Sequence, residues 1–132
     1  MSERFDIRFD EGAEKEYNKL DNSVLGAVNK AIDELVYRAD EVGKILSNYS
    51  NTKLAGCKEI KLRDAGIRIV FRITNTTVEV LQVVFILAIE RRSQDLVFKI
   101  ADRRLKVLRK VPKDQFKGFV SAKAKWKTEK DT

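Results

Sequence analysis

The chain has 132 residues, of which 43% are hydrophobic and 36% charged, with one proline and six glycines; that composition fits a single ordered domain with little linker. It has no histidine and one cysteine, Cys57, so Ser/His and Cys/His nucleophile systems and an internal disulfide are excluded, and neither a metal nor a cofactor is expected. The net charge of +7 is uneven: residues 1–41 hold 6 basic and 11 acidic side chains, residues 42–98 hold 9 and 5, and residues 99–132 hold 12 and 4, which sets a basic half suited to nucleic acid or an acidic protein against an acidic one.

Residues 4–9 alternate Phe5, Ile7 and Phe9 against charge and predict a first strand. Asp10 is placed to cap a helix with Ala13, Tyr17 and Leu20 on one face. Asp21, Asn22 and Ser23 break it, with Ser23 the expected cap of a longer helix. There Val24, Val28, Ala31, Ile32, Leu35 and Ala39 recur at three and four residues, up to Gly43. These apolar residues read as core. Residues 44–56 read as a loop of about 13 residues, near the upper limit for an inert connection.

Residues 57–73 then predict a hairpin turning at Asp64-Ala65-Gly66. Ile60 and Leu62 alternate with Glu59, Lys61 and Arg63; Ile67, Ile69, Phe71 and Ile73 alternate with Arg68, Val70 and Arg72. Period-two alternation buries the apolar set and leaves a face carrying Lys61, Arg63, Arg68 and Arg72 with one carboxylate, Glu59. Such a face is either an ordinary solvated strand surface or a seat for a phosphate-rich partner. Asn75-Thr76 predicts a turn into a third sheet strand, residues 78–89, apolar on both faces and therefore covered from both sides. The apolar run 77–89 is interrupted by Glu79 and Gln82 and falls short of the roughly 20 residues that span a bilayer, so no membrane partner is expected. With no signal peptide recognisable at its start, the cytoplasm is the expected compartment.

Glu90-Arg91-Arg92 closes that strand, and Ser93 can cap a last helix with Leu96, Val97, Ile100, Ala101, Leu105 and Leu108 on one face and Lys99, Arg103, Arg104, Lys106, Arg109 and Lys110 on the other. Pro112 stops it. Residues 1–112 are expected to form the domain and residues 113–132 a basic tail, in which Phe116, Phe119 and Trp126 lie among six lysines.

The order of elements, K-L-x-G at Lys53, Leu54 and Gly56, the run C-K-E-I-K-L-R-D-A-G-I-R-I-V-F, and E-R-R followed by F-K-I-A-D-R-R-L together resemble the RelE/ParE toxin superfamily of toxin–antitoxin systems, in its RelE-like branch, over about residues 5–108. The resemblance implies an α+β fold of the RelE-like microbial RNase type, a small antiparallel sheet of about four strands with two N-terminal helices on one face and a C-terminal helix. It also implies a ribosome-dependent mRNA endoribonuclease, in which a 2′-OH attacks the neighbouring phosphate to leave a cyclic phosphate and a 5′-OH. Such a step needs a base, cations for the charge building on phosphate, and an acid for the leaving oxygen. Lys61 resembles a family lysine of the active face, Arg68 the arginine that stabilises the phosphate, and Arg92 the corner arginine, with Arg91 as the other register; Arg63 is a further phosphate contact.

Two positions depart from the family pattern. Glu59 stands where a second lysine is expected and takes the general-base role that a glutamate has in some relatives, with Lys61 as the other candidate base. Phe98 stands where a tyrosine stacks on a base; its ring stacks but cannot donate a hydrogen bond. The expected partners are a cognate antitoxin, the ribosome and mRNA. The alternatives are a ParE-like inhibitor of DNA gyrase with no nuclease site, and a degenerate toxin that mainly binds its antitoxin.

Overall fold

The structure, a computed structural model, describes residues 2–48, 52–78, 81–91 and 94–111. Its elements are β1 (Phe5–Phe9), α1 (Glu11–Asn18), α2 (Asn22–Arg38), β2 (Lys44–Ile45), β3 (Cys57–Leu62), β4 (Ile67–Val78), β5 (Leu81–Glu90) and α3 (Gln94–Arg109). One sheet of order β1-β5-β4-β3-β2 runs through the molecule, with α1 and α2 packed on one face and α3 on the other. The α+β class holds. The sheet is one strand larger than expected, because Lys44 and Ile45 pair with Glu59 and Lys58 in the stretch read as loop. It is also mixed, since β1 lies parallel to β5 while the other pairs are antiparallel.

Asp10 caps α1 as expected, accepting from the N–H of Gly12. Asp21 rather than Ser23 caps α2; Ser23 sits in the first turn and donates its N–H to Asp21. A carboxylate suits that position, close to the positive end of the helix. All six residues expected on the buried face of α2 are buried. Tyr17 donates its hydroxyl to Asn29, which joins α1 to α2 inside the core.

The turn expected at Asn75-Thr76 is not there: β4 continues to Val78, with Thr77 opposite Gln82. Side-chain bonds hold that end of the ladder together, Thr74 Oγ1 donating to the Val83 carbonyl at 2.9 Å and Gln82 Nε2 to the Thr74 carbonyl at 2.7 Å. The central β5 is buried from Val83 to Ile89, as expected of a strand covered on both sides.

A bulge in β5 decides which side chains share a face. Val70 pairs with Ala88 but the adjacent Phe71 pairs with Ile86, so Leu87 is the extra residue. Before the bulge, Val84 and Ile86 face the α1–α2 side; after it, Ile89 does. Val83, Phe85, Leu87 and Ala88 pack toward α3. The phase change therefore turns Glu90 onto the α3 side.

Among the described residues, no helix is long and apolar enough to cross a membrane. Ser93, Pro112 and the tail expected over residues 113–132 lie outside the described residues.

Candidate active site on the hairpin face

Three cross-strand rows lie on the α3 side of the sheet. Cys57, Arg72 and Phe85 form the first, Glu59, Val70 and Ala88 the second, and Lys61, Arg68 and Glu90 the third. Cys57, Val70, Phe85 and Ala88 belong to the core beneath α3. The third row, one residue pair before the Arg63–Gly66 turn, is where the polar groups emerge.

Glu59 is 2% exposed, not on a solvated face, because the period of two places it on the side that α3 covers. A carboxylate so enclosed requires a cationic partner, and Arg68 supplies one: its NH1 donates to Glu59 Oε1 in a charge-assisted hydrogen bond. This occupies one nitrogen of the guanidinium and aims the group, leaving its other donors without a partner among the described residues. Lys61 lies directly across from Arg68 and is exposed. Arg63 is exposed in the turn, and Arg91 is exposed immediately beyond β5. Arg92 lies outside the described residues.

The structure corrects three expectations. Phe98 is 3% exposed and packed in the α3-side core, so its ring has no open face on which a base can stack. Arg72 does not join the free cations: it is half-buried, donates to the Ala55 carbonyl at 3.4 Å, and lies against Gly56, where φ is +94°. A Cβ at Gly56 would come within 2.7 Å of the Arg72 guanidinium. Arg104, expected on the outer face of α3, is turned inward.

The K-L-x-G segment serves to dock the loop. Leu54 is fully buried beneath α3, the Lys53 N–H donates to Asp102 Oδ1 at 2.8 Å, and the Lys53 carbonyl accepts from Arg109 at 3.1 Å. Burial works against the charged form of Asp102, but the Lys53 N–H and the Lys106 ammonium, 3.2 Å away, outweigh it and hold its pKa below the ordinary carboxylate value. Cys57 is enclosed in the same core, and burial pushes its thiol up, away from the thiolate that nucleophilic chemistry requires.

Pattern reading missed a second polar cluster, at the end of β5. Beyond β1, the Ile89 N–H donates to Glu16 Oε1 at 3.0 Å and the Leu87 carbonyl accepts from Arg104 at 2.8 Å. Arg104 also makes a two-pronged pair with Glu16 at 2.9 and 2.8 Å and approaches Asp10 at 3.4 Å. These side chains replace the strand that β5 lacks there. Burial opposes the Arg104 charge, and Glu16 and Asp10 outweigh it, holding its pKa above the usual guanidinium value. Burial pushes the Asp10 carboxyl up. Gly12 makes room for the cluster, since a Cβ there would run into the Arg104 guanidinium. The small residue one turn before Glu16 is the only trace of this in the sequence.

Among the described residues, no group of three or more His, Cys, Asp or Glu side chains could hold a metal. No family model matches the chain. It is 33% identical over 102 residues to the mRNA interferase toxin RelE of Escherichia coli K12, a match that spans 75% of this chain and 95% of that protein; the mRNA interferase RelE of Shigella flexneri matches to the same extent. Among solved structures, it is similar to a doubly substituted E. coli RelE in the free state, with a TM-score of 0.58 and 26% identity over 79% of this chain and 99% of that one. It is also similar to the intact E. coli RelBE toxin–antitoxin complex, with a TM-score of 0.52 and 27% identity over 68% of this chain and 99% of the matched one.

Proposed function

The chain belongs to the RelE family of toxins, and from that premise we propose that it is an mRNA endoribonuclease that acts on ribosome-bound messages and blocks translation. The observation that carries the reading is the row of Lys61 and Arg68 at the open end of the sheet, with Arg68 aimed from behind by the buried Glu59. A rigid guanidinium with unused donors suits a phosphate whose charge rises in the transition state. On this reading the 2′-OH attacks the adjacent phosphate, a P–O bond forms to the 2′ oxygen and the bond to the 5′ oxygen breaks, leaving a cyclic phosphate and a 5′ oxygen that takes its proton from water to become the 5′-OH. Arg68 and the corner arginines at 91 and 92 hold the phosphate, and Arg63 contacts a neighbouring one.

Two groups compete for the 2′-OH proton. Lys61 is exposed and within the row, whereas Glu59 is enclosed and already bonded to Arg68. Lys61 is therefore the base in this proposal and Glu59 the anchor of Arg68. The toxin would act in the cytoplasm, with residues 1–112 as the toxin domain. A cognate antitoxin is assigned as partner because the E. coli relative is solved as half of a toxin–antitoxin complex.

The test is inducible expression in bacteria with mapping of new 5′ ends on translated messages within minutes. Breaks inside codons are expected from the natural chain and should vanish with Lys61→Ala, an exposed position whose truncation spares the fold. Growth arrest without breaks, or with DNA-damage signalling, would overturn the nuclease reading.

A further inference from the structure

The last residues of β5 border two features. On one side is the row of Lys61 and Arg68; on the other is a groove of about 700 Å³ between α1 and α3, to whose lining Ile89, Glu90 and Arg91 contribute. Its volume falls within the roughly 300–1,000 Å³ typical of small-ligand sites. The half-buried Leu20 and Ile100 supply apolar wall, and Lys19, Arg91 and Arg103 supply charge.

The charges are unequal in what they leave over. Glu16 is taken by Arg104, Asp21 accepts from the N–H of Ser23 as the cap of α2, and Glu90 has a partner. Lys19, Arg91 and Arg103 are exposed and form no ion pair among the described residues. An apolar wall beside uncommitted cations matches a nucleotide, with its base against the wall and its phosphate on the cations. An acidic peptide with apolar side chains is the other occupant these features admit, and if that is what the groove takes, the octamer below will be indifferent to the substitutions.

We propose that the α1–α3 groove is a second RNA subsite, taking a nucleotide of the same single strand outside the cleaved pair, with Lys19 and Arg103 holding its phosphates and Arg91 shared with the cleavage site. The proposal rests on the reading of the hairpin face as the cleavage site. The groove lengthens the RNA footprint and so makes affinity depend on strand length. Neither Lys19 nor Arg103 belongs to the cleavage machinery.

The test uses the full chain and two fluorescent RNA probes, a trimer and an octamer, 2′-O-methylated throughout so that no 2′-OH can attack. Binding is followed by anisotropy over a range of salt. The natural chain should bind the octamer more tightly than the trimer. Lys19→Glu with Arg103→Glu should weaken the octamer about tenfold or more and flatten its salt dependence, leaving the trimer unchanged. The milder Lys19→Gln with Arg103→Gln should move the octamer in the same direction, which guards against a folding defect. Equal affinity for the two lengths, equal weakening of both, or an octamer indifferent to the substitutions would each overturn the groove. The cleavage-site reading is scored separately, because Lys61→Ala should weaken the trimer; if it does not, that reading fails whatever the groove does.

Discussion

Among the described residues two arginines meet an enclosed glutamate, and they do different work. Arg104 binds Glu16 through both of its terminal nitrogens, approaches Asp10 with the third, and gives a further bond to the Leu87 carbonyl. All three of its nitrogens are engaged by the protein itself, and its role is to fasten α1 and α3 to the end of β5. Arg68 binds Glu59 through one nitrogen and stands at the open end of the sheet. The same pair of residue types builds a clamp in one place and an aimed guanidinium in the other; what separates them is how many donors the protein itself consumes.

The comparison breaks most readily at the clamp. Arg104→Ala strands Glu16 and Asp10 with little solvent and orphans the Leu87 carbonyl, so unfolding in denaturant should show a loss of about 3–5 kcal/mol. A loss under about 1 kcal/mol would mean that the clamp is not structural. Arg68→Lys is the counterpart: charge stays beside Glu59 but the fork is lost, so cleavage should fall on the order of 10²-fold while the unfolding midpoint moves little. A fall in stability as large as that at Arg104 would erase the distinction.

Gly12→Ala sharpens the comparison from the side of the clamp. Alanine is the better helix former, yet its methyl must displace the Arg104 guanidinium, so thermal melting should show net destabilisation. Melting at or above the natural temperature would show that Arg104 can leave its seat at no cost. Glu59→Gln does the same for the aimed arginine. The amide still accepts from Arg68, so single-turnover cleavage should stay within about tenfold of the natural rate, whereas a loss on the order of 10²–10⁴ would make Glu59 the general base after all.

The smallest effects are those of pH. Asp102 has a depressed pKa, so the stability it contributes is present above the ordinary carboxylate value and is lost as pH falls through the depressed one. Asp10 has the opposite sign: its pKa is raised, so its ionisation costs stability as pH climbs from the ordinary value through the raised one. Asp102→Asn should therefore lessen the loss of denaturant resistance in acid, and Asp10→Asn should remove the decline on the higher side. Parallel curves for both variants and the natural chain would contradict these assignments.

Much of the local structure was legible from the chain. The alternation in residues 57–73 marked the hairpin, and the three-and-four spacing of Val24, Val28, Ala31, Ile32 and Leu35 marked α2 and its buried face. Lys61, Arg63, Arg68 and Arg91 were recognisable by type and position, and the structure leaves Lys61, Arg63 and Arg91 exposed. Less legible were the two short-range surprises. Lys44 and Ile45 form a strand too short to show a period, and Asn75-Thr76 looks like a turn until Thr74 and Gln82 are seen bonding across the ladder.

Residue type and periodicity thus determined the elements, their buried faces and the hairpin's cations, because these follow from local backbone geometry and from the tendency of apolar side chains to leave water. Only the tertiary structure decided which charged residues are spent and which are free. Glu59 became an anchor because α3 covers the face it points to, Phe98 became core because it lies on the side of α3 that packs on the sheet, and Arg104 was drawn inward by backbone groups that β5 exposes past the end of β1. The Leu87 bulge that turns Glu90 toward Arg68 has no periodic signature, since one extra residue reverses the phase of everything after it. A buried polar group takes whatever partner the packing brings within reach, and that partner lies 9 residues away for Arg68 and Glu59 and 88 for Arg104 and Glu16.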